Sequence, residues 1–225
     1  MKFHKISGAK SMNKIELENF IQDDKLIVII RAEKVGNIQQ IINALIKGGV
    51  RVLEVSFNTP GAADFIRTIR SEYDNQILCG AGTILDAVMA ERAIDSGAQF
   101  VISPVYKHEM IRMCLRHGVP AIPGIFTPSE AMDAYEHGAS FLKVFPAGQL
   151  GPGFIKAIKN VMPQLPLIPV GGVTAETVEP FLQSGAAALA VGSAIVNSKL
   201  VEKESYAEIE KNAAWFREKI SACLM

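Results

Sequence analysis

Apolar residues in this chain concentrate in short runs that are separated by longer, polar-ended segments of helical length. The runs occupy residues 26–31, 50–56, 77–82, 100–103, 121–123, 141–145, 167–170 and 189–191. Several intervening segments end at a glycine just before the next run, as at Gly97, Gly118 and Gly138. Glycine readily takes the left-handed conformation that ends a helix. Strands that alternate with helices in this way indicate βαβ units and a parallel sheet.

Eight such units predict an α/β fold of the closed (β/α)8 TIM barrel type. The pattern predicts helices that begin near residues 36, 60, 86, 107, 128, 153 and 174, and a last helix over about 201–222. Residues 13–24 predict an extra amphipathic helix that closes the bottom of the barrel. A doubly wound open sheet is the alternative fold, although it seldom reaches eight strands with such uniform loops. Because no linker interrupts the pattern, we expect residues 1–225 to form a single domain, with the barrel over about 25–222.

Composition and charge narrow the possible functions. The 225 residues are 49% hydrophobic, and 23 basic residues balance 23 acidic ones. This balance argues against nucleic-acid and membrane-surface proteins, which carry a basic excess. The aliphatic run 26–30 is too short to span a membrane, and the first residues lack the apolar segment of a secretory signal. Three scattered cysteines predict neither disulfides nor a metal site. We expect a cytoplasmic protein without metal or cofactor.

Two charged residues interrupt apolar strands, and both invite a functional explanation. Lys143 lies within the run 141–145, and Glu54 lies within 50–56. Because successive strand residues alternate between faces, both side chains are expected to point into the barrel. A structural ion pair is the simpler interpretation, but buried ion pairs contribute little stability compared with apolar residues.

A lysine in such surroundings can act as a nucleophile. In water its amine is neutral only roughly 0.04% of the time at pH 7, and desolvation raises that fraction. The neutral amine of Lys143 could attack a ketone, and the resulting iminium accepts electrons when a neighbouring C–C bond breaks. Glu54 could move the protons that these steps require.

Glycine turns after the last two strands predict a phosphate site. Residues 170–174 read VGGVT and residues 191–194 read VGSA. Main-chain N–H groups of such turns bind anions, and the loops after strands seven and eight hold phosphate in many barrels. The predicted phosphate-binding residues are Gly171, Gly172, Gly192 and Ser193.

Several motifs together resemble one enzyme family. LEVSFNTP, CGAGT, IPGIFTPSE, LKVFPA and PVGGV follow the pattern of the class I 2-keto-3-deoxy-6-phosphogluconate (KDPG)/4-hydroxy-2-oxoglutarate (KHG) aldolases, in register from about residue 24 to residue 220. The resemblance implies cleavage of a phosphorylated keto acid to pyruvate and glyceraldehyde 3-phosphate. It also implies a homotrimer.

The same resemblance assigns roles to individual residues. It implies that Lys143 forms the Schiff base and that Glu54 is the acid/base. It further implies that Thr83 contacts the pyruvate carboxylate and that Pro104 and Phe145 line the pocket.

Two residues depart from the family pattern. Asn58 stands where many members carry arginine, and Val170 stands where gluconate-specific members tend to carry threonine. Both departures resemble the branch that acts on the galactonate epimer. Our hypotheses are that Arg31, at the end of the first strand, supplies the missing cation, and that Val170 changes the preference at the substrate C4 hydroxyl.

Other functions remain possible from the sequence. One is a 4-hydroxy-2-oxoglutarate aldolase that yields pyruvate and glyoxylate. A second is a barrel that binds a phosphorylated ligand such as pyridoxal phosphate without aldolase activity. A third is another phosphate-binding barrel, such as a sugar-phosphate epimerase or a thiamine-phosphate-type synthase, which would need more acidic residues at its strand ends.

Overall fold

The computed structural model describes residues 12–31 and 37–224. Its strands are β1 (Leu26–Ile30), β2 (Val52–Ser56), β3 (Leu78–Gly82), β4 (Val101–Ile102), β5 (Ala121–Ile122), β6 (Gly124–Ile125), β7 (Leu142–Val144), β8 (Leu167–Pro169) and β9 (Leu189–Val191). Its helices are α1 (Lys14–Asp24), α2 (Ile38–Lys47), α3 (Ala62–Tyr73), α4 (Ala87–Asp95), α5 (His108–Arg116), α6 (Pro128–Glu136), α7 (Ala147–Val161), α8 (Val178–Gln183), α9 (Ser198–Glu202) and α10 (Tyr206–Cys223).

The strands form a closed parallel barrel. One sheet has the order β5-β4-β3-β2-β1-β9 and the other β6-β7-β8. β5 and β6 are halves of one barrel strand that Pro123 divides, because β5 pairs with β4 whereas β6 pairs with β7. A parallel bridge between Val170 and Ala190 joins the end of β8 to β9 and closes the ring. The predicted (β/α)8 barrel is confirmed.

Strand alternation produces two apolar cores. The inner core fills the barrel and includes Ile27, Val52, Leu78, Phe100, Ile122, Phe141, Ile168 and Ala190. The outer core joins the strands to the surrounding helices and includes Val28, Leu53, Cys79, Leu142 and Leu189. The next inward position after Val52 on β2 is Glu54, and after Phe141 on β7 it is Lys143. The barrel is therefore apolar below these two residues.

Helix α1 closes the amino-terminal end of the barrel, as the sequence predicts. Asn13 and Glu16 form a capping box at its start, which satisfies main-chain N–H groups that the first helical turn leaves free. Leu17 and Ile21 of this helix belong to the inner core.

A buried carboxylate fastens α1 to the rest of the barrel. Asp24 accepts a hydrogen bond of 2.7 Å from Arg51 Nε and one of 2.6 Å from an Arg217 guanidinium nitrogen. Arg217 also donates to the main-chain oxygen of Asp24 at 2.7 Å. These bonds connect α1, the segment before β2 and α10.

Some element boundaries differ from those predicted. The predicted helix start near Gly36 lies outside the described residues, and α2 begins at Ile38 with Asn37 as its cap. The single last helix predicted from residue 201 is wrong, because α9 and α10 are separate and Glu204 between them has φ 52°. Helix α7 is interrupted at Gly151, whose φ of 71° and ψ of 172° are not helical.

Candidate active site

The structure places Lys143 and Glu54 inside the barrel, near the carboxyl ends of β7 and β2. Lys143 is 4% exposed and Glu54 is 1% exposed. In the strand register Lys143 aligns with Gly124 of β6 and Ile168 of β8. Glu54 aligns with Ile29 of β1 and Gly80 of β3. Both charged groups therefore occupy strands that are buried on all sides.

The surroundings of Lys143 favour its neutral form. Burial lowers the pKa of the Lys143 ammonium, the negative charge of Glu54 partly opposes this effect, and the positive charge of Arg31 adds to it. The ammonium nitrogen lies 4.7 Å from the centroid of the Phe145 ring. A lowered pKa gives Lys143 a larger amine fraction at neutral pH than an exposed lysine has.

Glu54 is a carboxylate with a free oxygen. Burial raises the pKa of the Glu54 carboxyl, while the charges of Lys143 and Arg31 oppose that rise. Its Oε2 atom is buried and has no hydrogen-bond partner among the described residues. Its Oε1 atom occupies the space beside Gly82, since a Cβ atom on Gly82 would overlap it. A raised pKa and an unpartnered oxygen suit a group that exchanges protons.

Lys143 and Glu54 influence each other's pKa without forming a close ion pair. In the part of the chain that the structure describes, no ion pair with an N–O distance of 4.0 Å or less joins them. The structural ion pair considered from the sequence is therefore not formed.

Thr83, predicted to contact a carboxylate, is held by a hydroxyl from the neighbouring strand. The Oγ atoms of Thr83 and Ser56 lie 2.5 Å apart, and Ser56 donates to Asn58 Oδ1 at 2.8 Å. Thr83 has φ 60°, which is uncommon for a β-branched residue. Three residues at the ends of β2 and β3 thus form one hydrogen-bonded chain.

The remaining predicted pocket residues surround the same end of the barrel. Arg31 is exposed at the end of β1, close enough for its charge to act on both Lys143 and Glu54. Val170 follows β8 and is buried in the inner core. Phe145 packs partly against that core. The main chain of Pro104 lies against Gly124, where a Cβ atom could not fit.

The two predicted phosphate turns have N–H groups available for an anion. Gly171 and Gly172 have φ values of 79° and 82°, which only glycine adopts easily. Gly148 donates to the Gly171 oxygen at 2.7 Å and fixes this turn. Within the described residues, the N–H groups of Gly172, Val173, Ser193 and Ala194 donate to no protein acceptor. The two turns follow adjacent barrel strands, β8 and β9.

The described residues form neither a metal-binding cluster nor a membrane-spanning helix. Residues 12–31 and 37–224 contain no group of three or more His, Cys, Asp or Glu side chains that could hold a metal ion. Over the same ranges, every helix is too short or too polar to cross a bilayer.

Comparison with known proteins identifies the family. A family profile described as "KDPG and KHG aldolase" matches residues 17–212. The chain belongs to the KDPG and KHG aldolase family. The protein is accordingly an aldolase, a carbon–carbon lyase, which confirms the resemblance seen in the sequence motifs.

Individual relatives of this aldolase span most of its length. A 2-dehydro-3-deoxy-phosphogluconate aldolase of Treponema pallidum is 39% identical over 150 residues, which cover 66% of this chain and 71% of the relative. A 2-dehydro-3-deoxy-6-phosphogalactonate aldolase of Escherichia coli is 34% identical over 169 residues, which cover 75% and 82%.

A solved structure with similar geometry carries a reaction intermediate. It is KDPG aldolase from Legionella pneumophila, described with pyruvate captured at low pH as a covalent carbinolamine intermediate. The superposition has a TM-score of 0.82 and a sequence identity of 28%, and it covers 88% of this aldolase and 96% of that chain.

Sequence reasoning missed several residues that shape the aldolase's site. Ser56 was not predicted to belong to the site, although it bonds to Thr83. Gly82 and Gly124 were not recognised as positions that must lack a side chain. Gly148, which supports the Gly171 turn, was also missed. The GAGT motif was the available signal for Gly82, since the strand partner of a large inward side chain often needs to be small.

Proposed function

We propose that the protein is a class I aldolase that cleaves 2-keto-3-deoxy-6-phospho sugar acids into pyruvate and glyceraldehyde 3-phosphate. The observation that carries this proposal is the combination of a buried Lys143, whose pKa is lowered, with a buried Glu54 carboxyl that retains a free oxygen. A lysine nucleophile and an acid/base that form no ion pair with each other are both available to a substrate.

The reaction begins at the ketone. The neutral amine of Lys143 attacks C2 and gives a carbinolamine, and Glu54 protonates the hydroxyl that leaves as water. The Glu54 carboxylate then removes the proton of the C4 hydroxyl. The C3–C4 electron pair moves into the iminium, the bond breaks, and glyceraldehyde 3-phosphate leaves. Protonation of the enamine at C3 and addition of water release pyruvate and regenerate the Lys143 amine.

The carboxylate and phosphate ends of the substrate are assigned to opposite sides of the rim at the carboxyl end of the barrel. Thr83 and Arg31 bind the carboxylate, Asn58 lies beside Thr83, and Pro104 and Phe145 enclose the pyruvyl carbons. The free N–H groups of the turns at Gly171–Gly172 and Gly192–Ser193 support a phosphate at the other end, because such groups bind anions without a basic side chain. The unphosphorylated 4-hydroxy-2-oxoglutarate would use Lys143 and Glu54 but not these turns.

Borohydride trapping with pyruvate tests the covalent step. Reduction of the imine fixes a pyruvyl adduct, which intact mass and peptide mapping assign to a residue. We expect the adduct on Lys143 and none on Lys25, whose pKa burial also lowers but whose amine donates to the Ala187 oxygen at 2.9 Å. The Lys143→Arg variant should form no adduct. A folded wild-type protein that forms no adduct with excess pyruvate would contradict the proposal.

Val170 is proposed to set the preference between C4 epimers. It is buried next to the Gly171 turn and carries no hydroxyl to bond the C4 hydroxyl. We expect wild type to favour the galactonate epimer and Val170→Thr to shift the ratio of kcat/KM values towards the gluconate epimer by about tenfold, the size of one hydrogen bond. Equal kcat/KM ratios in wild type and Val170→Thr would show that residue 170 does not determine the preference between C4 epimers.

The trimer implied by the sequence resemblance remains a proposal. Leu85, Val88, Val105 and Phe126 are exposed large apolar residues that follow three successive barrel strands. An exposed apolar group of this kind is typical of an interface between subunits. Light scattering would give the mass of the assembly.

A reducing, cytoplasmic location is likewise proposed. It is supported by Cys79, Cys114 and Cys223, which are all free thiols in the structure. Free thiols persist in reducing compartments.

A further inference from the structure

The end of β2 carries a fully buried serine whose hydroxyl is engaged by two neighbouring side chains, Asn58 and Thr83. Ser56 is 0% exposed, whereas Thr83 is partly exposed and Asn58 is exposed. We propose that Ser56 is a positioning residue that directs the Thr83 hydroxyl towards the substrate carboxylate, with Asn58 setting the direction of the hydrogen bonds. This inference rests on the proposed function, because Thr83 is taken to be the carboxylate contact.

The sheet register brings the two hydroxyls together. Ser56 is paired with Gly82, and the Phe57 N–H donates to the Gly82 oxygen at 2.7 Å. Thr83 is the next residue, and its left-handed backbone turns its side chain to within 2.5 Å of Ser56 Oγ. A left-handed conformation is strained at a residue with a Cβ and persists where neighbours enforce it. The Ser56 hydroxyl is such a neighbour.

The orientation of the Asn58 amide determines whether Thr83 has a proton to donate to a carboxylate. A hydroxyl has one proton to donate. When Ser56 donates to Asn58 Oδ1, as observed, the short contact with Thr83 requires Thr83 to donate to Ser56. Thr83 then has no proton left for a carboxylate.

Half a turn of the Asn58 amide reverses the chain. Its Nδ2 group would then donate to Ser56, Ser56 would donate to Thr83, and the Thr83 proton would point to the carboxylate. The exposed position of Asn58 leaves room for this rotation, and the turn closed by the Thr59 N–H bond to the Ser56 oxygen at 2.9 Å keeps its side chain over Ser56. Asn58 therefore has a role of its own, which is to set the direction of these hydrogen bonds.

Trapping with borohydride over a range of pyruvate concentrations tests this role. In Ser56→Ala we expect the half-saturating pyruvate concentration to rise about five- to tenfold, the effect of losing one hydrogen bond between neutral groups, here the bond from Ser56 to Thr83. The trapping rate at saturation should change by less than about twofold, since Lys143 is untouched. Ser96→Ala is the matched control, because Ser96 is also buried but donates to the Arg92 oxygen at the end of α4.

A double-mutant cycle distinguishes action through Thr83 from a general structural effect. If Ser56 acts through Thr83, then Ser56→Ala adds nothing to the half-saturating concentration of Thr83→Val, whereas independent effects multiply. Asn58→Ala, at an exposed position, should show the same change as Ser56→Ala in smaller measure and provides the test if Ser56→Ala does not fold.

The outcomes separate this inference from the proposed function. A wild-type protein without an adduct on Lys143 would overturn the function itself. A wild-type adduct with unchanged half-saturation in Ser56→Ala, or with multiplicative effects in the cycle, would overturn only the positioning role. If Ser56→Ala is unfolded, unchanged half-saturation in Asn58→Ala overturns it.

Discussion

Arg31 places a positive charge close enough to affect the pKa of both reacting groups, Lys143 and Glu54. It favours the ionised form of Glu54 and the neutral form of Lys143, so it lowers the pKa of both groups. Glu54 has the opposite effect on Lys143, because its negative charge favours the ammonium. A cation at this place therefore assists amine formation, and it can also attract a substrate carboxylate.

Removing that cation should change both the pH dependence and the affinity. In Arg31→Met the pKa of Lys143 rises, so the increase in trapping rate with pH should move to higher pH. The KM for substrate and pyruvate should rise about tenfold, as for a lost charge-assisted contact. Measuring trapping across pH and pyruvate concentration tests both effects. Arg67→Met, at an exposed arginine paired with Asp64 on α3, is the control. Unchanged KM values would show that Arg31 does not bind the carboxylate.

Elements and their faces could be predicted largely from the sequence, because alternation along a strand is a local property. The alternation along this strand predicted correctly that Lys143 points into the barrel, where Phe141 belongs to the inner core and Phe145 packs against it. The division of the fifth strand at Pro123 could not be predicted, because it depends on which neighbour each half pairs with.

Contacts between strands were harder to predict from the sequence than the strands themselves. The bond between Ser56 and Thr83 depends on the register of β2 against β3, which a pattern within one strand does not contain. The division of the last helical segment into α9 and α10 was missed for a different reason, since Glu204 takes a left-handed conformation that its residue type seldom adopts. Predictions were reliable where the periodicity of apolar residues determines the structure, and they failed where strand pairing or an uncommon backbone conformation determines it.

The register of β2 and β3 makes Gly82 a test of how Glu54 is placed. A Cβ atom at position 82 would overlap Glu54 Oε1, so Gly82→Ala should displace the carboxylate. A misplacement of about 1 Å commonly lowers rates about 100-fold, and we expect a loss of that size in kcat.

Two other glycines provide controls for Gly82→Ala. Gly80→Ala, two positions earlier, would meet the Phe100 ring and should lower stability more than kcat of the folded fraction. Gly153→Ala has no atom within 4 Å of the new Cβ and should change neither quantity. Steady-state kinetics with thermal denaturation separate the effects. Full activity in Gly82→Ala would show that Glu54 does not need its present position.

The two ends of the barrel differ in whether their buried charged groups are paired. At the amino end, Asp24 is hydrogen-bonded by two arginines. At the carboxyl end, Glu54 Oε2 has no partner among the described residues, and burial disfavours the charged forms of both Glu54 and Lys143. Removing Asp24 would leave two arginines without their acceptor and should destabilise the fold, whereas removing Glu54 and Lys143 together would remove two buried charges along with the reactive groups.

Urea unfolding of two variants should therefore give changes of opposite sign. Asp24→Asn should lower the free energy of unfolding by about 1–3 kcal/mol, because the two arginines are partly exposed and can be hydrated. Glu54→Met/Lys143→Met should raise it by about 1–4 kcal/mol and abolish activity. Below the ordinary Glu pKa of 4.5, Glu54 is protonated in both folded and unfolded states. Above the ordinary Lys pKa of 10.5, Lys143 is neutral in both. Each buried charge then ceases to lower stability, so the gain of the double variant should be largest between these pH values. A double variant that is less stable than wild type at neutral pH would show that Lys143 and Glu54 hold the barrel together.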